Sequence, residues 1–232
     1  MSIPRLFASR DPDDATSARL DHEATRHLRA RRLGVGDTLE AILGPGEAFH
    51  ATVESVASKG ARLQLGRRLA PSAADPTHAR VLLLALAEPS RLEFVVEKAT
   101  ELGVTEIVFF RGARSQAAQL PSSRLERFAR IARSACQQCG RTVPPALHQI
   151  ADLNAALTEL PAAMPLLAFA PTAASRGPLS PQEDMALVIG PEGGLTPEEL
   201  QALSERGAEM LSLGPRILRL ETAALAALAR LG

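Results

Sequence analysis

Apolar and polar positions follow two different patterns along this chain, and the change between them predicts two domains. Over residues 1–70, short segments such as 38–43 and 49–56 alternate apolar with polar positions, as half-exposed strands do. A Gly-Pro-Gly turn separates these two segments, and residues 22–32 have helical spacing instead. The pattern predicts a small β-barrel domain over residues 1–70.

From residue 80 onward, continuous apolar runs alternate with helical patterns. The apolar runs, each read as a buried strand, cover residues 80–86, 106–110, 165–169, 186–189 and 210–213. Helical spacing covers residues 91–102 and 122–138, and an Ala/Leu-rich helix follows residue 223. This alternation predicts an α/β domain over residues 80–232, with a parallel sheet covered by helices on both faces. Residues 71–79, rich in Pro, Ala and Ser, are predicted to be the linker.

One strand, turn and helix start are written clearly in the sequence. The strand at 186–189 runs into Gly190-Pro191-Glu192-Gly193-Gly194, where adjacent glycines allow unusual backbone angles and a close approach of ligand to main chain. Thr196, Pro197 and Glu199 then form the signature of a capped helix start. A second strand-to-loop junction follows at residues 213–215. If the two strands are neighbours in one sheet, their loops form two walls of one pocket.

Composition and charge narrow the class of protein. The chain has 232 residues, of which 46% are hydrophobic, enough for two cores and too many for disorder. No apolar run approaches the length of a membrane span. Two cysteines and no apolar leader predict a reducing cytosol. The net charge is zero, yet residues 111–141 hold seven arginines against one acid, a segment suited either to phosphate or to a neighbouring acidic face.

Several familiar sites are excluded or disfavoured. Cys136 and Cys139 form a C-x-x-C at the end of a helix rather than at its start, so we interpret them as two small buried residues. The five histidines do not cluster at ligand spacing, and no residue is assigned to a metal. Pro191 and Glu192 make the glycine turn a poor phosphate cradle, because one N–H is lost and a negative charge is added. An acidic loop suits a cationic, hydroxyl-bearing ligand better, such as a sulfonium nucleoside.

Taken together, these motifs resemble the RsmE family of 16S ribosomal RNA uracil-N3 methyltransferases, within the SPOUT class. The resemblance rests on residues 190–195 and 213–223, and it extends to residues 97–104 and 138–141. It covers the second domain and, more loosely, the first, where His27-Leu28-Arg29 and Gly36-Asp37 are similar to the PUA-like RNA-binding domain of the family. The resemblance implies a C-terminal trefoil knot, S-adenosylmethionine as cofactor, a homodimer, and 16S rRNA or the small ribosomal subunit as partner.

The resemblance also implies the residues of the cofactor site. The expected cofactor-binding residues are Leu167, Ile189, Gly190, Pro191, Glu192, Gly193, Gly194, Leu213, Gly214, Ile217, Leu218, Leu220 and Thr222.

The chemistry of the methyl transfer adds two catalytic candidates. Uracil N3 is a poor nucleophile until it loses its proton, and an arginine can stabilise the anion that develops over N3 and O4. Arg114, after the strand at 106–110, and Arg219 are the candidates for this role.

Three other functions stay open at this point. The same pocket would serve a SPOUT methyltransferase that acts on another RNA such as tRNA. A non-catalytic RNA-binding factor for ribosome assembly would lack cofactor binding, and a nucleotide-using α/β enzyme unrelated to RNA would bind RNA weakly and without salt dependence.

Overall fold

The chain folds into two compact units, each with its own sheet. The computed structural model describes residues 3–116, 119–170 and 183–231. One unit comprises Met1–Asp75 with Cys136–Val143, and the other comprises Pro76–Ala135 with Pro144–Gly232. The domain and linker boundaries given above stay a prediction. The grouping of Cys136–Val143 with the N-terminal residues was not indicated by any sequence pattern.

The first unit is a curled six-stranded sheet with one helix. Its elements are β1 (Arg5–Phe7), β2 (Ser9–Asp11), β3 (Asp14–Leu20), α1 (His22–Ala30), β4 (Thr38–Gly44), β5 (Glu47–Ala57) and β6 (Gly60–Arg68). The strand order is β1-β4-β5-β6-β3-β2. Because only Ala8 separates β1 from β2, the two edges of the sheet must curl toward each other. The strands predicted at 38–43 and 49–56 are confirmed as β4 and β5, whereas β1 and β2 are too short to show a period.

The second unit contains a six-stranded parallel sheet. Its elements are β7 (Arg80–Ala85), α2 (Pro89–Glu101), β8 (Glu106–Arg111), α3 (Ser122–Cys139, whose last residues group with the first unit), β9 (Ala146–Asp152), α4 (Leu153–Glu159), β10 (Leu166–Phe169), β11 (Met185–Ile189), α5 (Pro197–Glu205), β12 (Glu209–Leu211) and α6 (Leu220–Ala229). The order is β12-β10-β11-β7-β8-β9, and every pairing is parallel, as predicted. The sequence analysis did not predict β9 or α4.

Burial explains why the strands of this sheet read as continuous apolar runs. The central strands β7 and β11 are buried along almost their whole length, since both faces of the sheet are covered. The helix α2 buries Leu92, Val95 and Val96 and packs against α6. In β8 and α3, Phe109 and Phe128 lie with ring centroids 5.3 Å apart, an aromatic contact within the core.

The arginine-rich helix α3 finds its acidic partner on α2. Arg124 and Arg127 donate to the Glu93 carboxylate at 2.9 and 2.6 Å. The hydrogen bond from Arg127, together with the charges of both arginines, lowers the pKa of Glu93. The charge of this part of the basic segment is therefore partly offset by α2.

Hydrogen bonds between side chains and main chain hold the segment 136–143 in the first unit. The Asp75 carboxylate accepts hydrogen bonds from the Thr142 amide at 2.7 Å and the Val143 amide at 3.1 Å. The Gly140 carbonyl accepts hydrogen bonds from the Arg5 guanidinium and, at 2.7 Å, from the Ser72 hydroxyl. These contacts join residues far apart in the sequence into one unit.

Cys136 belongs to the same segment and is buried against Phe7 and Ile42. Burial raises the pKa of its thiol to about 12, so the thiolate required for redox or nucleophilic chemistry does not form at neutral pH. Cys139 is half-buried. The predicted burial is therefore confirmed for Cys136, whereas Cys139 is only partly buried.

The described residues also bear on membrane insertion and on metal binding. None of their helices is long and apolar enough to cross a membrane. Within the same ranges, no cluster of three or more His, Cys, Asp or Glu side chains is placed to hold a metal ion.

Candidate active site

A cavity of about 300 Å³ lies at the carboxyl ends of β10, β11 and β12. In open α/β sheets, ligands bind at this edge, beyond the ends of the parallel strands. The cavity is lined by Phe169, Ala170, Ile189, Gly190, Pro191, Glu192, Gly194, Leu195, Leu200, Leu213, Gly214, Arg216, Ile217, Leu218, Leu220 and Ala223. The two loops singled out in the sequence thus form two walls of one cavity, although β10 lies between their strands.

Most of the predicted cofactor-binding residues line this cavity, but three do not. Leu167 is buried inside the sheet, two residues before the end of β10. Gly193 faces Arg114, since a Cβ at position 193 would lie 3.0 Å from the Arg114 Cβ. Thr222 is exposed in the first turn of α6, which begins at Leu220, earlier than predicted.

The sequence analysis missed six wall residues. They are Phe169, Ala170, Leu195, Leu200, Arg216 and Ala223. Phe169 and Ala170 follow the strand that contains Leu167, and the rule that ligands gather at the carboxyl ends of strands points to them. Leu195, Arg216 and Ala223 lie inside the two recognised motifs.

The glycine loop after β11 is a tight turn with little spare room. Gly194 has φ +73°, a conformation that favours glycine, and its N–H donates to the Pro191 carbonyl at 2.8 Å. A Cβ at Gly190 would lie 2.9 Å from Leu195 Cγ. Thr196 caps α5 in a capping box with Glu199, as predicted. The loop is therefore fixed at both of its ends.

The second wall is a turn between β12 and α6. The Ser212 hydroxyl accepts a hydrogen bond from the Gly214 amide at 3.1 Å and donates to the Gly214 carbonyl at 3.2 Å. Gly214 has φ +115°, and a Cβ there would meet no atom within 4 Å. Ile217 is 89% exposed although it is apolar, so its side chain is available to a ligand.

One acidic side chain and several arginines lie at the cavity or close to it. The Glu192 carboxylate accepts a hydrogen bond from the Arg91 guanidinium of α2 at 2.7 Å. Arg216 lies on the wall and is exposed, and Arg219 is exposed at the N-cap of α6. Arg114 donates to the carbonyls of Gly193 and Leu195 at 3.0 and 3.4 Å. The two predicted catalytic arginines therefore differ, because Arg114 binds main chain and Arg219 presents its side chain to solvent.

The walls fit a nucleoside. Ile189, Leu195 and Leu218 offer apolar surface for a base, and the glycine main chain offers donors and acceptors without side-chain obstruction. The Glu192 carboxylate, whose charge is offset by Arg91, offers acceptor oxygens for a ligand hydroxyl. The volume is at the lower end of the range for small-molecule sites.

Comparison with known proteins gives the class of this α/β protein. Residues 75–232 match the model of the RNA methyltransferase domain family. A ribosomal RNA small subunit methyltransferase E of Mycobacterium bovis is 30% identical, over 95% of this chain and 88% of the relative.

Two solved structures share the whole fold. A putative methyltransferase from Legionella pneumophila, in complex with S-adenosylmethionine, has a TM-score of 0.87 and 30% identity over 100% of this chain and 97% of the other. A ribosomal RNA small subunit methyltransferase E from Neisseria gonorrhoeae, also bound to S-adenosylmethionine, has a TM-score of 0.88 and 28% identity over 98% and 96%. The chain belongs to the ribosomal RNA small subunit methyltransferase E family.

Proposed function

We propose that this protein transfers the methyl group of S-adenosylmethionine to N3 of one uridine in the 16S rRNA of the small ribosomal subunit. The observation that carries the proposal is the cavity at the ends of β10, β11 and β12, whose walls are the two segments that define the family resemblance. Its apolar walls and exposed main-chain groups suit the cofactor that the two structural relatives bind.

The residues of the cavity have distinct tasks in this reaction. When bound, the cofactor supplies an electrophilic methyl group, so the protein mainly has to align the groups that react. The glycine loop and the turn at Gly214 hold the ligand through main-chain groups. Arg219, exposed beside the cavity, stabilises the negative charge that develops on N3 and O4 of the uracil.

The target uridine has to leave its stack to reach the cavity. The chain has no Trp or Tyr, so stacking of the extruded base falls to phenylalanine or arginine side chains. Arg216, on the cavity wall, is placed for such a contact or for a flanking phosphate.

The first unit acts as a PUA-like RNA-binding domain in this proposal. Its curled sheet is consistent with that fold, and the helix α1 and the turn after it present the exposed arginines Arg26, Arg29, Arg31 and Arg32. Exposed arginines of this kind bind the phosphate backbone without regard to base identity. Because the substrate is ribosomal RNA, the protein acts in the cytoplasm.

The C-terminal segment forms a trefoil knot in this proposal. The path of the chain supports it: the central strand β11 is followed by the edge strand β12 beside β10, and the chain then comes back to α6, which packs on α2 and β11. A trefoil knot is one of the rare exceptions to unknotted topology.

We also propose that two copies of this chain pair through α6. Thr222, Leu225, Ala226 and Ala229 recur at helical spacing, and none of them is fully buried. This stripe, mostly apolar, would be covered by a second copy, which places the site near the dimer interface because Leu220 and Ala223 of the same helix line the cavity.

Replacing Ala226 with arginine is expected to convert the dimer into a monomer, because a long charged side chain enters the apolar stripe. Sedimentation equilibrium measures the mass, and Gln201→Arg, an exposed position on α5, is the control that remains dimeric. A wild-type protein with the mass of one chain would contradict the dimer.

Mass spectrometry of small-subunit rRNA tests the function itself. Cells that lack this gene are expected to lose one N3-methyluridine, and wild-type protein is expected to restore it. Purified protein with small subunits and labelled cofactor is expected to label the same nucleotide. If every uridine of 16S rRNA is unchanged by deletion, the proposal fails, and the tRNA pool becomes the substrate to examine.

A further inference from the structure

The loop after β8 is bonded to the glycine loop of the cavity. Arg114 donates through one nitrogen, Nη1, to the Gly193 carbonyl at 3.0 Å and the Leu195 carbonyl at 3.4 Å. One residue earlier, the Ala113 amide donates to Glu199 Oε1 at 2.9 Å. These three bonds link the loop after β8 to the glycine loop, to the residue that follows it and to the start of α5.

Glu199 serves both loops at once. Its Oε2 accepts a hydrogen bond from the Thr196 amide at 2.8 Å, which completes the capping box of α5. Its Oε1 is then left for the Ala113 amide. The carboxylate thereby links the start of α5, where the glycine loop ends, to the loop that carries Arg114.

Packing between the two loops is equally close. A Cβ at Gly112 would lie 3.1 Å from the Pro191 ring, and a Cβ at Gly193 would lie 3.0 Å from the Arg114 Cβ. To admit a Cβ at either position, the neighbouring side chain would have to shift by a few tenths of an ångström, so the two loops pack closely at two points. The proximity of Arg114 thus favours glycine at position 193.

We propose that Arg114 and Glu199 form a positioning clamp that holds the glycine loop in its ligand-binding conformation, and that Arg114 acts through this loop and not on the uracil. Two successive glycines have more backbone freedom than any other pair, so an unclamped loop loses more conformational entropy when a ligand orders it. A clamp present before binding lowers that cost, which is preorganisation. The inference rests on the proposed cofactor site.

Calorimetric titration with S-adenosylhomocysteine tests the clamp on the full chain without RNA. Arg114→Ala is expected to weaken binding about tenfold, because two hydrogen bonds from a charged donor to partly exposed carbonyls are lost. The loss is expected in the entropy of binding. Arg114→Lys, which keeps one cationic donor, is expected to recover part of the affinity. Glu199→Gln, with a single acceptor oxygen, is expected to lose one of the two bonds and to fall between wild type and Glu199→Ala.

A matched control separates the clamp from general damage. Arg206 donates to the Pro161 carbonyl at 2.6 Å, so Arg206→Ala removes the same kind of bond away from the cavity. Its affinity for S-adenosylhomocysteine is expected to equal that of wild type. Thermal unfolding of every variant checks that the fold is kept.

Steady-state kinetics then distinguish a positioning role of Arg114 from a role on the substrate. The clamp predicts that the KM for cofactor rises while kcat at saturating cofactor stays within about threefold of wild type. Unchanged affinity for S-adenosylhomocysteine combined with a large fall in kcat would overturn the clamp and return Arg114 to the substrate, with the proposed function intact. A wild-type protein that does not bind S-adenosylhomocysteine at all would overturn both.

Discussion

Replacing Gly190 with valine is expected to weaken the binding of S-adenosylhomocysteine about 100-fold and to remove RNA methylation with it. A Cβ at position 190 would lie 2.9 and 3.0 Å from two carbon atoms of Leu195, and valine adds two further methyl groups. Leu195 cannot yield without narrowing the cavity, because it lies on the same wall. Calorimetry measures the affinity, and transfer of labelled methyl groups to small subunits measures the activity.

The matched control for this change is Gly44→Val in β4 of the first unit. A Cβ at Gly44 would meet nothing within 4 Å, and its φ is not in the left-handed region, so the same substitution meets no obstacle there. Gly44→Val is expected to bind S-adenosylhomocysteine as wild type does. Full affinity in a folded Gly190→Val protein would mean that the cofactor binds elsewhere. Gly190→Val also serves as the inactive protein when the deletion strain is complemented.

Replacing Arg219 with alanine is expected to lower kcat by about 100- to 1,000-fold while affinity for S-adenosylhomocysteine changes less than about twofold. Arg219 is the exposed N-cap residue of α6, and its side chain makes no capping hydrogen bond. It is therefore free to stabilise charge that appears only when uracil N3 loses its proton. Single-turnover methylation at saturating cofactor isolates this step.

The pH dependence of the activity that remains in Arg219→Ala tests the role of this arginine further. If the arginine stabilises the N3 anion, the activity remaining in Arg219→Ala should be recovered in part at higher pH, where more uracil is deprotonated in solution. Arg206→Ala is the control and is expected to keep the wild-type rate. Equal kcat values for wild type and Arg219→Ala would remove Arg219 from catalysis.

The sequence predicts the local parts of this site well, because those parts depend on neighbours in the chain. The strand before Gly190 and the capping box at Thr196 and Glu199 are written within about fifteen consecutive residues, and the structure confirms both. Turn chemistry and helix capping act over three or four residues, so no tertiary information is needed. The parallel sheet follows from the alternation of strands and helices for the same reason.

What the sequence could not supply depends on the order of strands and on partners distant in the chain. Phe169 and Ala170 enter the cavity because β10 lies between β11 and β12, and strand order is not encoded in any local period. Arg114 was interpreted as a catalytic candidate because its residue type and position suit that role. Its bonds to Gly193 and Leu195, about 80 residues away, are visible only in the folded chain.

The segment Cys136–Val143 has a consequence for how the protein is made. The N-terminal unit contains Phe7 and Ile42, yet their packing partner Cys136 and the partner of Asp75, Thr142, are synthesised only after β7, β8 and most of α3. Domains of nascent chains usually fold in the order of synthesis, but these contacts link residues more than 60 positions apart. The first unit therefore completes its fold late in translation, and the RNA-binding surface proposed for it matures only when part of the second unit already exists.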